Sequence, residues 1–277
     1  MIKIPTFLKW IGGKRRLISQ IDPHLPDKIQ SYYDPFLGAG SMFFYIKQKY
    51  PLKKCVISDI NRDLIDVYKS VRDNPKQLMK FLKFYVKNNS ESFYYKIRKK
   101  FNEHEIHGLN RSAAFIYMNK TCFNGVFRVN SKGEFNVPYG KRKNPEIFNK
   151  ETILFASKLL QGVDIRCQDY EKIISEIKDK DFLYLDPCYD PLKRTSFANY
   201  TEKRFCDKDS ERLRIFISKV RNFGARILLS NNFVDSIRKR YPLDQGYDLK
   251  IVYCPRSINS NATGRGKIKE YLIKAGY

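Results

Sequence analysis

The chain has 277 residues, 42% apolar and 14% aromatic, enough to bury a core and too hydrophobic for a wholly disordered chain. Its 53 basic and 29 acidic residues leave a formal charge of +24, which fits a polyanionic partner such as nucleic acid or, more blandly, a Lys-rich soluble surface. No run approaches the roughly 18 apolar residues of a membrane span, and no secretory signal opens the sequence.

Near the start, Lys9-Trp10-Ile11-Gly12-Gly13-Lys14 sets the only tryptophan beside a glycine pair and two cations. Ser31–Phe36 then reads as a short strand running into the turn Leu37–Gly40, followed by an apolar helix, Ser41–Tyr50, stopped by Pro51. Lys54–Ile60 is β-branched and short, a buried strand. Asn61 is placed to cap a helix over Arg62–Arg72, closed by Asn74-Pro75. From 76 to about 122 the pattern changes to two or three helices rich in Lys, Phe and Tyr, without strands. Asn124–Glu146 is polar and turn-rich, and too long for an ordinary connection.

Alternation then resumes. A helix is expected at Lys150–Leu160, a strand at Val163–Gln168, a helix at Tyr170–Lys178 and an apolar strand at Asp181–Leu185. After a loop over Cys188–Cys206 come helix Ser210–Asn222, strand Ala225–Ser230, helix Phe233–Arg240 and strands near Leu249–Tyr253 and Ile268–Ile273. Alternating β and α elements predict an α/β fold with a mainly parallel sheet covered by helices. This divides the chain into a first catalytic part (1–75), an insertion (76–146) and a second catalytic part (147–277). The charge is uneven as well: residues 87–150 carry a net +8 and residues 255–277 a net +4. That points to nucleic acid, with the insertion as its contact surface.

Two further groups carry chemistry. In Asp34-Pro35-Phe36-Leu37-Gly38-Ala39-Gly40, glycines between a strand and a helix let a ligand approach the backbone. Asp59 ends the next strand, where a carboxylate can hold ribose hydroxyls or an ammonium group. Phe43 replaces the third glycine of a dinucleotide fingerprint, which argues against a tight pyrophosphate site. Asp186-Pro187-Cys188-Tyr189 follows a strongly apolar strand, at the sheet end where α/β proteins place their sites. Taken singly, each group also fits an ordinary turn beside a packed aromatic.

Their order is more specific. Lys-Trp-x-Gly-Gly-Lys, Asp-Pro-Phe-x-Gly-x-Gly, a strand-ending Asp59, a basic insertion and Asp-Pro-x-Tyr together resemble the Dam-type (D12 class, alpha group) DNA adenine-N6 methyltransferases. The resemblance runs from about Phe7 to Ile273. Within the insertion, Phe123-Asn124-Gly125-Val126-Phe127-Arg128-Val129-Asn130 and Gly133-Glu134-Phe135-Asn136-Val137-Pro138-Tyr139-Gly140 are similar to the branch that acts on GATC. The resemblance implies a Rossmann-like fold that binds S-adenosylmethionine across the carboxyl ends of its strands. Trp10, Gly12, Gly13 and Lys14 would clamp the cofactor. Asp34, Phe36, Gly38 and Gly40 would line its methionine and ribose side, Asp59 would hold the ribose, and Asp169 and Tyr170 would meet the adenine ring.

Catalysis would fall to Asp186 and the Pro187 carbonyl, accepting from the N6 amine of a flipped adenine, with Tyr189 stacked on the base. Double-stranded DNA is the implied partner. Arg128 would read guanine, Asn124 and Asn130 would pair with adenine or support the loop, and Phe123 would wedge into the stack. Lys141, Arg142 and Lys143 would hold phosphates. Ser257–Lys267 would be a glycine-bearing loop near the DNA or cofactor.

Cys188 stands where the family usually has a second proline. Pro-Cys also occurs in cytosine-C5 enzymes, which attack through a thiolate, but their Glu-Asn-Val element is absent here. RNA or cytosine methylation on the same fold, and a DNA-binding protein with a decayed cofactor site, are the competing readings. The six scattered cysteines form no metal quartet, so we expect no metal, and reduced thiols in the cytoplasm of a cell or of a virus- or phage-infected host; without a membrane-length apolar run we expect no membrane attachment. Monomer and DNA-assembled dimer stay equally open.

Overall fold

The computed structural model describes residues 2–188, 207–255 and 267–277. Tyr189, most of the loop expected over Cys188–Cys206, and nearly all of the expected loop Ser257–Lys267 lie outside them. A short helical turn, Lys14–Leu17, leads into α1 (Ile18–Ile21). Then β1 (Ser31–Asp34), α2 (Ser41–Lys49), β2 (Lys54–Asp59) and α3 (Arg62–Asp73) follow. Asn61 caps α3 as expected, its Oδ1 accepting from the Leu64 N–H at 3.0 Å. Pro51 and Pro75 punctuate the chain differently. Pro51 follows an extended residue that ends α2, whereas Pro75 opens the next helix, because the first helical position needs no N–H.

The strandless stretch resolves into three helices, α4 (Pro75–Lys87), α5 (Glu91–Asn102) and α6 (Gly108–Thr121). Every residue of α6 from Ser112 to Thr121 is buried. The polar stretch 124–146 has no α-helix and no extended strand, only the end of a 3₁₀ turn, Phe123–Gly125. Two isolated antiparallel bridges, Cys122 with Tyr139 and Val129 with Phe135, pinch it into a loop. Phe127, Val129, Phe135 and Val137 are buried while their neighbours are more exposed. This period-two burial is masked in the sequence by the many turn residues.

After α7 (Lys150–Leu160) come β3 (Asp164–Cys167), β4 (Phe182–Leu185), α8 (Asp207–Asn222), β5 (Arg226–Asn232), α9 (Asp235–Arg240), β6 (Tyr247–Pro255) and β7 (Lys267–Ala275). The expected helix at 170–178 is instead a 3₁₀ run, Tyr170–Glu176. The Asp169 side chain opens it by accepting from the Glu171 N–H at 2.9 Å. The last two strands are longer than their apolar cores, because each pairs with the other along its whole length.

Among the described residues, seven strands form one sheet in the order β3-β2-β1-β4-β5-β7-β6. The first five are mutually parallel, and β7 is antiparallel to both β5 and β6. This is the mainly parallel, Rossmann-like α/β sheet that the sequence implies. One apolar cluster joins a sheet face to α2, α3 and α7, and continues without a break into α4, α6 and the loop at Phe127 and Phe135. A second cluster fills the other face under α8 and α9. Chain order reverses between β1 and β4, which opens a crevice at their carboxyl ends, where sheets of this kind bind ligands.

Candidate active site

Each parallel strand bordering the crevice delivers a polar residue to it. Asp34 ends β1, Asp59 ends β2, Gln168 and Asp169 follow β3, and Asp186 follows β4. They line a single cavity of about 440 Å³. All eleven residues expected to clamp, line or hold the cofactor line this cavity, and so do Asp186, Pro187 and Cys188. The expected DNA-contacting residues form a separate set on the loop after α6.

The carboxylates differ in their surroundings. Asp34 is 3% exposed. Its Oδ2 accepts from the Tyr32 hydroxyl at 3.0 Å, while its buried Oδ1 makes no hydrogen bond among the described residues. Burial pushes its pKa to about 8, reinforced by Asp186 and Asp59 and opposed by the Tyr32 hydroxyl and the Phe36 backbone. Asp59 is held by two backbone donors, the N–H of Gly38 at 3.1 Å and of Asn61 at 2.9 Å. Burial still raises its pKa against their pull.

Asp186 Oδ1 accepts from Lys14 Nζ at 2.7 Å. Lys14 is 3% exposed; its ammonium also donates to the Gly12 carbonyl at 2.8 Å and lies 3.8 Å from Glu270 Oε2 on β7. Burial opposes the charge on Lys14, but Asp186 and Glu270 outweigh it and raise the pKa. Lys14 lines the cavity as expected, yet its charge serves Asp186. Burial, helped by Asp59 and Asp186, pushes the Cys188 thiol up to about 12. The group is therefore a neutral thiol at physiological pH, without the thiolate that a covalent attack requires.

The glycine turn is shaped by Trp10. Gly38 has φ +48°, and a Cβ there would lie 2.9 Å from Trp10 Cδ1. Trp10 also stacks on Phe127, with centroids 5.5 Å apart and planes 13° apart. Gly38→Ala is thus expected to cost about 1–2 kcal/mol in backbone strain alone and to displace the indole. A lowered unfolding midpoint together with altered fluorescence of the single tryptophan would show both effects; unchanged emission would refute the displacement.

Three contributors escaped the sequence reading. Arg212 on α8 donates to Asp169 Oδ1 and Glu171 Oε2, both at 2.7 Å, and its guanidinium covers the Tyr170 ring. Tyr170 packs in turn on Phe36, with centroids 5.1 Å apart. Ile60, 60% exposed, offers an apolar side chain to the cavity. Glu270 completes the Lys14 triad. Arg212 is one of several basic residues on its helix, and nothing in its spacing singles it out.

On the loop after α6, Phe123 is 55% exposed and Asn124 takes a left-handed φ of 57°. Arg128 donates through Nε to Asn136 Oδ1 at 2.8 Å. Asn130, for which two jobs were open, supports the loop: its Oδ1 accepts from the Lys132 and Glu134 N–H groups, and its Nδ2 donates to Glu134. Lys141, Arg142 and Lys143 are exposed, with Lys141 3.8 Å from Glu91. Among the described residues no cluster of His, Cys, Asp and Glu could hold a metal, and no helix is long and apolar enough to cross a membrane.

Comparison with known proteins agrees with this arrangement. Residues 10–252 match the family of D12 class N6 adenine-specific DNA methyltransferases. The chain is 42% identical to the type II methyltransferase M.MjaIII of Methanocaldococcus jannaschii, over 98% of this chain and 99% of that one. It is 35% identical to the DNA adenine methylase of Vibrio cholerae, over 98% and 96% of the two chains. With the DNA adenine methylase of Escherichia coli it shares 33% identity over 98% and 95%. The chain therefore belongs to the D12 class N6 adenine-specific DNA methyltransferases.

Proposed function

We propose that this methyltransferase uses S-adenosylmethionine to methylate N6 of an adenine flipped out of duplex DNA, within GATC. The observation that carries the cofactor reading is the carboxylate of Asp34, whose buried Oδ1 makes no hydrogen bond among the described residues and which lines a cavity together with Asp59 and Asp186. A carboxylate oxygen in that position suits an α-ammonium group. Asp59, oriented by Gly38 and Asn61, would hold the ribose hydroxyls. Asp169, oriented by Arg212, would meet the adenine amine beside Tyr170, Phe36 and Ile60. Gly12, Gly13 and Gly40 let the backbone close around the ligand. Bound there, S-adenosylmethionine supplies an electrophilic methyl group.

The remaining chemistry belongs to the chain. Asp186, steadied by Lys14, and the Pro187 carbonyl accept hydrogen bonds from the N6 amine. They would keep the nitrogen lone pair aimed at the methyl carbon and disperse the positive charge that develops as the N–C bond forms and the sulfur–methyl bond breaks; the thioether S-adenosylhomocysteine leaves and N6 gives up its extra proton to water. Holding both reactants in line supplies much of the rest, and Tyr189 stacks on the base. Phe123 fills the gap that the adenine leaves. Arg128, with Nε fixed by Asn136, turns its outer N–H groups to guanine while Asn124 reads the neighbouring base. Asn130 shapes that loop, and Lys141, Arg142 and Lys143 hold phosphates. The segment 76–146 thus acts as the target-recognition unit between the two catalytic parts.

The test is to incubate plasmid DNA with labelled cofactor and map the modified bases. Label confined to GATC adenines supports the reading; label on cytosine, or none, overturns it. Cys188→Ala is expected to retain activity within about threefold, because the neutral thiol takes no part. Loss of activity with the fold intact would restore the covalent alternative.

A further inference from the structure

The segment carrying Trp10 and Lys14 has no regular structure before Lys14, and the end of α6 holds it in place. Asn119, 1% exposed, accepts from the Lys9 N–H through Oδ1 at 2.8 Å and donates through Nδ2 to the Lys9 carbonyl, also at 2.8 Å. One amide thereby satisfies both backbone groups of Lys9, as a neighbouring strand would. The next residue, Lys120, donates to the Thr6 carbonyl at 3.3 Å. The Lys9 side chain lies across Gly125, where a Cβ would fall 2.3 Å from Lys9 Cδ. Trp10 then stacks on Phe127.

These contacts form a physical path. Asn119 lies four residues before the exposed Phe123, and Gly125 and Phe127 follow it in the same loop. On the other side, Lys9 and Trp10 lead directly to Gly12, Gly13 and Lys14, which holds Asp186. Whatever fixes the loop also fixes one wall of the cavity.

We propose that Asn119 is a positioning residue that ties the target-reading loop to the cofactor wall, so that cofactor and cognate duplex each tighten the binding of the other. The inference rests on the cofactor reading above. Each ligand orders a part of the same strap, so the second to arrive orders less, and the reinforcement is equal in both directions.

The test measures S-adenosylhomocysteine affinity by calorimetry, alone and with a saturating duplex that carries the site found by methylation mapping. In the unmodified protein the duplex is expected to tighten binding about tenfold. Asn119→Asp keeps the size and one acceptor but sets a carboxylate against the Lys9 carbonyl. In that variant the tightening should fall to within about twofold of none, with each separate affinity kept within about threefold. The change in Trp10 emission on adding duplex alone should vanish too. Phe127→Leu, which removes the stack without touching Asn119, should also weaken the coupling and serves if the first variant fails to fold. Full coupling in either folded variant overturns the proposal, as does an unmodified protein that binds both ligands independently. An unmodified protein that binds no S-adenosylhomocysteine overturns the cofactor reading instead.

Discussion

Asp186→Ala is expected to lower the methylation rate by at least about a thousandfold, the upper end of what one preorganised electrostatic contact supplies in an active site. The carboxylate would accept from the amine that becomes positively charged, so its removal strips charge stabilisation from the transition state more than from bound substrate. The same change takes from Lys14 its 2.7 Å partner. That ammonium is 3% exposed and, among the contacts described, would keep Glu270 at 3.8 Å and the Gly12 carbonyl. Breaking a buried ion pair from one side costs about 3–5 kcal/mol, and because Asp186 is 19% exposed and Glu270 remains, the lower end applies. The stability loss and the catalytic loss separate in the double variant Asp186→Ala/Lys14→Met. Removing the ammonium as well should recover most of the unfolding midpoint while methylation stays lost. Activity within tenfold of the unmodified protein in Asp186→Ala would sink the assignment.

The same triad marks where sequence reasoning stops. Asp34, Asp59 and Asp186 are legible because each ends a short apolar strand, and a parallel sheet gathers such ends along one edge. The glycines are legible because a left-handed φ, as at Gly38 and Gly40, restricts the residue type. Lys14 is visible only as a cation beside glycines. Its true partner lies 172 residues away, and no local pattern carries that distance. Asn119 is hidden for a related reason: an amide inside a helix with all-round burial looks like an exception until the strand-like segment that it serves is in place. The loop after α6 deceived in the opposite sense, since its turn residues are real but its alternating Phe and Val side chains anchor it in the main core. Arg128, bonded to Asn136, is therefore presented from a packed support, which the base contact proposed for it would require.

Asp34 should make cofactor binding depend on pH in a way that a permanently charged carboxylate would not. Its folded-state pKa of about 8 lies above the ordinary 3.8. The folded, ligand-free protein therefore holds a proton that the unfolded chain releases between these values. Stability from this group is complete below about pH 4 and is lost as pH rises through about 8, with a ceiling on the order of 5 kcal/mol. Asp34→Asn should accordingly gain on the unmodified protein in unfolding midpoint as pH rises from 5 to 8. Ligand binding runs the other way. An ammonium group beside Oδ1 favours the carboxylate, so a proton leaves on binding and affinity rises about tenfold per pH unit below 8. Above about 8 the free α-amine loses its own proton and affinity falls, giving a bell centred near pH 8. Asp34→Asn should flatten the rising limb and weaken binding roughly 10- to 100-fold, the worth of a charge-assisted hydrogen bond. 5′-Methylthioadenosine, which lacks the amine, should bind without the rising limb. Calorimetry with both ligands from pH 5.5 to 9 separates the cases: a rise shared by the two ligands, or absent from S-adenosylmethionine, would show that Oδ1 faces something other than the ammonium group.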